Sequence, residues 1–161
     1  MDKEEIYKLL EEIQDPEIPV LSILDLGIVR DVVWTDEELE ILITPTYSAC
    51  PAMDVIRIHI QMMLSSNGYK NVKVTQVLSP AWTTDWMSEE GKKKLKEYGI
   101  APPNPKQQVC NQELFMAAEA VQCPHCDSYH THRISEFGST PCKALYACDQ
   151  CKEPFEYFKC H

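Results

Sequence analysis

"ELEILITPTYSACPAMDVIRIHIQMMLSSNGYKNVKVTQVL", residues 38–78, changes its hydrophobic period twice. Leu39, Ile41 and Ile43 alternate, the period of a strand with one face in a core. After Cys50 the period lengthens, and Val55, Ile56, Ile60, Met63 and Leu64 mark one face of a helix closed by Asn67 and Gly68. Val72, Val74 and, past Thr75, Val77 return to alternation and predict another strand.

Upstream, Ile28, Val29, Val32 and Val33 in "LGIVRDVVW" predict a strand that pairs with the 39–43 strand across the "TDEE" turn. Ile6, Leu9, Leu10 and Ile13 recur at helical spacing, which predicts a helix over 3–14, stopped at "QDPEIP" by Pro16 and Pro19. Downstream, Ser88 is placed to cap a helix over 88–98. The order α-β-β-α-β-α predicts an α+β fold, a small α/β sandwich with helices on one face of its sheet.

"GIAPPNPKQQ", 99–108, breaks the pattern with three prolines and a glycine, and reads as a linker. "CNQELFMAAEAVQ" follows as an ordered bridge or a short helix. The expected organisation is an α+β domain over 1–98, a linker and bridge over 99–120, and a β zinc ribbon over 121–161.

The net charge is −10, and residues 1–45 carry all of it, with 13 acidic and 3 basic side chains. Nonspecific nucleic-acid binding needs phosphate neutralisation by Lys and Arg, so no nucleic-acid partner is expected. The basic run of Lys92, Lys93, Lys94 and Lys96 reads as the wet face of a helix. No apolar run approaches a membrane span. The acidic, amphipathic start resembles neither a secretory signal nor a mitochondrial presequence, so the expected location is cytoplasmic.

Of eight cysteines, six lie after residue 120, which in a reducing compartment points to metal rather than disulfides. Cys123-Pro-His-Cys126 and Cys148-Asp-Gln-Cys151 form two CxxC knuckles separated by 21 residues. Each knuckle presents two thiolates on one side of a tight turn. Two facing knuckles supply four soft ligands in a tetrahedron, which suits Zn²⁺. A rubredoxin-like iron site uses the same ligands. A structural role is expected, because a unit of this size lacks a sufficient core and four thiolates leave no open coordination position. Cys142, Cys160 and His161 remain unassigned, and His125, His130 and His132 read as surface or strand positions.

Cys50 sits directly before Pro51, a favoured first helical residue, which makes the thiol the expected N-cap. There the helix dipole and free N–H groups lower a thiol's pKa, as a reactive or metal-binding thiolate requires. A small buried cysteine is the alternative reading. No phosphate-cradling loop, nucleophile elbow or HExxH is present, so no enzyme activity is expected.

Four motifs carry a resemblance: Asp15-Pro16-Glu17, Leu26-Gly27, Cys50-Pro51, and Pro80 with Trp82 and Thr83. Over residues 4 to 98 the chain resembles the small domain family linked to iron–sulfur cluster assembly. The tail "EFGSTPCKALYACDQCKEPFEYFKCH" resembles the zinc ribbon of PaaD-like proteins of aerobic phenylacetate degradation. That resemblance implies an assembly or maturation factor for a metal centre of the phenylacetyl-CoA epoxygenase system. Its partners would be the oxygenase or reductase subunits. Cys50 would be the working thiol, holding a transient Fe–S cluster or passing iron. Asp15 and Glu17 would offer oxygen ligands or brace the loop, and Thr44 and Thr46 would hydrogen-bond a bound sulfur or end the strand. One Cys50 per chain cannot ligate a cluster alone, so a homodimer or a partner thiol is implied. The alternative is a scaffold bridging oxygenase and reductase, with Cys50 as packing.

Overall fold

Alternation and helical spacing become elements where the sequence places them. The computed structural model describes residues 3–35, 38–47, 49–103 and 121–159. Helix α1 (Lys3–Glu11) buries Ile6 and Leu10, one turn apart, and carries Glu4 and Glu5 in its first turn, where the dipole favours negative charge. It ends three residues short of the expected 14. Asp15 Oδ1 accepts the N–H groups of Glu17 and Ile18, both at 2.8 Å, so the chain turns into a side-chain-braced loop.

Strand β1 (Val29–Trp34) runs antiparallel to β2 (Leu39–Ile43), which runs parallel to β3 (Val72–Gln76). Helix α2 (Ala52–Ser66) makes the crossover between β2 and β3, as a parallel pair requires. Its Ile56, Ile60 and Leu64 are fully buried, each contributing about 1.5–3 kcal/mol of apolar burial. α2 packs on β3 and on α1. Asn67 closes it, its Nδ2 donating to Met63 O at 2.8 Å, and Gly68 then takes a φ of +88°.

Beyond β3 a 3₁₀ turn (Thr84–Trp86) leads to α3 (Glu89–Glu97), whose Ser88 Oγ accepts the Gly91 N–H at 2.8 Å as the expected cap. The chain divides into two compact units, 1–91 and 92–161.

In the second unit β4 (Ile100–Ala101), β7 (Pro154–Phe158), β6 (Lys143–Cys148) and β5 (Thr131–Ser135) form one sheet in that order. β4 lies in the stretch read as linker, and neither β4 nor β7 is legible as a strand in the sequence. Ala101, Val121, Ala144, Tyr146, Phe155 and Tyr157 build a small core around Cys123 and Cys148. The fold is therefore α+β, with a C-terminal ribbon.

Residues 104–120, and with them Cys110 and most of the expected bridge, lie outside the described residues, as do Cys160 and His161. Among the described residues no helix is long and apolar enough to cross a membrane.

Candidate functional site

The two knuckles are built alike. Cys123 N donates to Ser128 O and Asp127 N to Cys123 O, while Cys148 N donates to Glu153 O and Lys152 N to Cys148 O, all at 2.9–3.0 Å. Asp127 and Lys152, each just past its knuckle, share the left-handed conformation at φ 60° and 67°. The first sulfur of each knuckle faces backbone N–H groups, from His125 and Cys126 in one and from Gln150 and Cys151 in the other.

The four sulfurs all lie within 4.8 Å of one another. Cys123 faces Cys151 at 3.8 Å and Cys126 faces Cys148 at 3.5 Å. Zinc–sulfur bonds of about 2.3 Å give a tetrahedron with edges of about 3.8 Å, so these thiols fit a metal ion with little movement. The Cys151 and Gln150 N–H groups help bring the Cys148 thiol down to about 6. The Ser128 N–H pulls Cys126 down, but desolvation and the neighbouring sulfurs outweigh it and push that thiol up to about 12. Four thiols in one small volume cannot all ionise unaided, whereas a bound cation replaces their protons.

Cys50 departs from its expected setting. Pro51, already helical at φ −68° and ψ −22°, is the N-cap, and no side chain among the described residues caps α2. Cys50 lies one residue earlier, half-buried, in a turn closed by its N–H on Tyr47 O at 3.2 Å. Its pKa is raised, not lowered. Burial is the main cause, the Glu17 and Asp15 carboxylates add to it, and the Ala52 N–H and the Tyr47 hydroxyl oppose it without prevailing. The N-terminal field of α2 is outweighed by desolvation and two nearby negative charges.

The same balance places Glu17 and Asp15 in electrostatic reach of the thiol, with Glu17 the stronger. Asp15, buried, is committed to the Glu17 and Ile18 N–H groups. Thr44 is buried at the end of β2, and its hydroxyl has no hydrogen-bond partner among the described residues. Thr46 is half-buried, four residues before the thiol. Tyr47 was not anticipated; its spacing three residues before Cys50, in the same turn, is the signal that could have found it.

The other motifs that carry the resemblance are spent on scaffold. Trp82 Nε1 donates to Leu26 O at 2.8 Å across 56 residues. Gly27, at φ +67°, passes so close to the Trp86 backbone that no side chain fits there. The guanidinium of Arg30 covers the Trp86 ring at 3.4 Å. Ser88 Oγ donates to Asp25 Oδ1 at 2.8 Å, tying the 22–27 loop to the start of α3.

Residues 3–77 match the model of an iron–sulfur cluster assembly protein family, and residues 107–159 that of a PaaD zinc β ribbon domain. The chain is 52% identical over 97% of its length, and 92% of the relative's, to a putative 1,2-phenylacetyl-CoA epoxidase subunit of Escherichia coli. It is 38% identical, over 58% of its length and 90% of the relative's, to an Fe-S protein maturation auxiliary factor of Porphyromonas gingivalis. A solved domain of unknown function from Bacillus anthracis superposes with a TM-score of 0.54 at 30% identity, covering 57% of this chain and 89% of that one.

Proposed function

The chain belongs to the PaaD family, in which an iron–sulfur-assembly domain is joined to a zinc ribbon, and from that premise we propose that it is a maturation factor for a metal centre of a phenylacetyl-CoA epoxidase. The cargo is iron or an Fe–S cluster, and Cys50 is the thiol that handles it. The E. coli relative, matched over 97% of this chain, carries the epoxidase name, and the P. gingivalis relative, matched over 58%, the maturation name.

One feature carries the reading: a half-buried thiol whose pKa is raised by burial and by the Glu17 and Asp15 carboxylates within electrostatic reach. Carboxylates that disfavour a free thiolate attract a metal cation, and a bound cation expels the thiol proton. Such a thiol is quiet without metal and becomes a soft ligand with it, which suits transient cargo better than nucleophilic catalysis. Glu17, which acts on the thiol more strongly than Asp15, would add a hard oxygen donor. Thr44 and Thr46 border the same loop and would offer hydroxyls to a bound sulfur.

The ribbon is assigned a structural Zn²⁺ on Cys123, Cys126, Cys148 and Cys151. The metal would supply the stability that its small core cannot. The partner is a component of the epoxidase, oxygenase or reductase.

The test is production of the epoxidase components together with either the wild-type chain or Cys50→Ser, followed by their iron content and epoxidase activity. The maturation reading predicts iron-deficient, weakly active epoxidase with the variant. Full activity with Cys50→Ser would overturn it in favour of a scaffold.

A further inference from the structure

Helix α2 shows its buried stripe to the core and a second apolar stripe to solvent. Val55, Ile58 and Met62 are 39, 51 and 63% exposed, and at spacings of three and four residues they share one face. Contiguous exposed apolar side chains of this size mark contact surfaces rather than ordinary helix exteriors.

The stripe borders a groove of about 430 Å³. One wall is the segment just past α1 with Glu12, Ile13 and Gln14, and the other is α2 with His59, Met62 and Met63. Two methionines give a floor that repacks around differently shaped apolar groups. Glu11 and Glu12 are exposed where α1 ends. They add to the negative pole of the helix there, against a single cation in its last turn, Lys8. The mouth is therefore acidic beside an apolar floor. That placement costs helix stability, and a cationic partner would recover the cost.

We propose that this face docks an amphipathic helix of a partner protein, seating large apolar side chains in the groove against a flank of Lys or Arg. The charge distribution selects this occupant over a second copy. Glu11 and Glu12 flank the groove on every copy and the chain as a whole carries −10, so two such faces repel each other. The helix-in-groove mode fits the paired features of an apolar stripe and a charged rim.

The probe is a synthetic amphipathic helix of leucine and lysine, with a glutamate-for-lysine counterpart, titrated into the full metal-loaded chain while the methionine methyl resonances are followed. The lysine peptide should move Met62 and Met63 and leave the buried Met53 in place. Its affinity should fall as salt is raised. Met62→Asp, at an exposed position that leaves the fold intact, should weaken it about tenfold or more. The glutamate peptide should bind at least about tenfold more weakly than the lysine one. Equal binding of both peptides, resonance changes away from α2, or indifference to Met62→Asp would overturn the proposal. So would Met62 shifts that follow the protein's own concentration, which would assign the face to a second copy.

Discussion

Cys123 Sγ lies 3.8 Å from Cys151 Sγ, a sulfur of the first knuckle against one of the second, across 28 residues of chain. With Cys126 and Cys148 at 3.5 Å and all four sulfurs within 4.8 Å of one another, two opposite edges already have the length of a metal–thiolate tetrahedron. Purified chain should hold about one zinc, and Cys126→Ser should lose it, because three thiolates leave the coordination open. Chelation should unfold the second unit, read as loss of ribbon amide protection from hydrogen exchange, while α1 and α2 stay protected. Retained protection of β5 to β7 after metal removal would contradict the structural role.

Cys50 should alkylate slowly near neutral pH. Burial and two carboxylates hold its pKa above 9.0, so the rate should still be rising at that pH when Cys50 alone is quantified by mass spectrometry. Glu17→Gln removes one negative neighbour, which favours the thiolate. The midpoint should therefore fall and the neutral-pH rate increase. An unchanged midpoint would place Glu17 out of reach of the thiol.

β2 was the most legible strand of the first unit because it has a single clean period: Leu39, Ile41 and Ile43 alternate, and all three are buried. The ribbon's ligands were legible for a different reason, since CxxC spacing encodes a turn rather than a periodicity. What escaped was context. β4 has two residues, too few to carry a period, and exists through its pairing with β7. The direction of the Cys50 shift depends first on its burial and then on Glu17 and Asp15, more than 30 residues away in sequence, so neighbouring residues could only reveal the opposing pull of the helix. Tyr47 is signalled only by its spacing three residues before Cys50, which becomes meaningful once the two are seen to share a turn.

Trp82→Phe should destabilise the first unit by about 1–3 kcal/mol, since it keeps the ring's apolar bulk but strands the buried Leu26 carbonyl. Denaturant unfolding measures this directly. A change within a few tenths of a kcal/mol would reduce Trp82 to a packing residue.

Lys143 Nζ, almost fully buried, meets Glu156 Oε2 at 2.9 Å, and Ser139 N donates to the other oxygen at 2.6 Å. Burial pushes the Glu156 carboxyl up, but the ammonium and the N–H outweigh it and hold the pKa below its ordinary 4.5. A depressed folded pKa contributes stability above the unfolded value and loses it as pH falls through the folded one. Ribbon stability should therefore drop below about pH 4.5, and Glu156→Gln should flatten that part of the profile. The substitution should cost about 2 kcal/mol at neutral pH, less than a fully buried pair because Glu156 keeps 23% side-chain exposure.

The most direct measurement is iron and acid-labile sulfide per chain, with zinc as the internal reference, in wild type and Cys50→Ser purified without oxygen. The account predicts about one zinc in both and iron in the wild type alone. Equal iron in the two proteins would remove Cys50 from the site and contradict it.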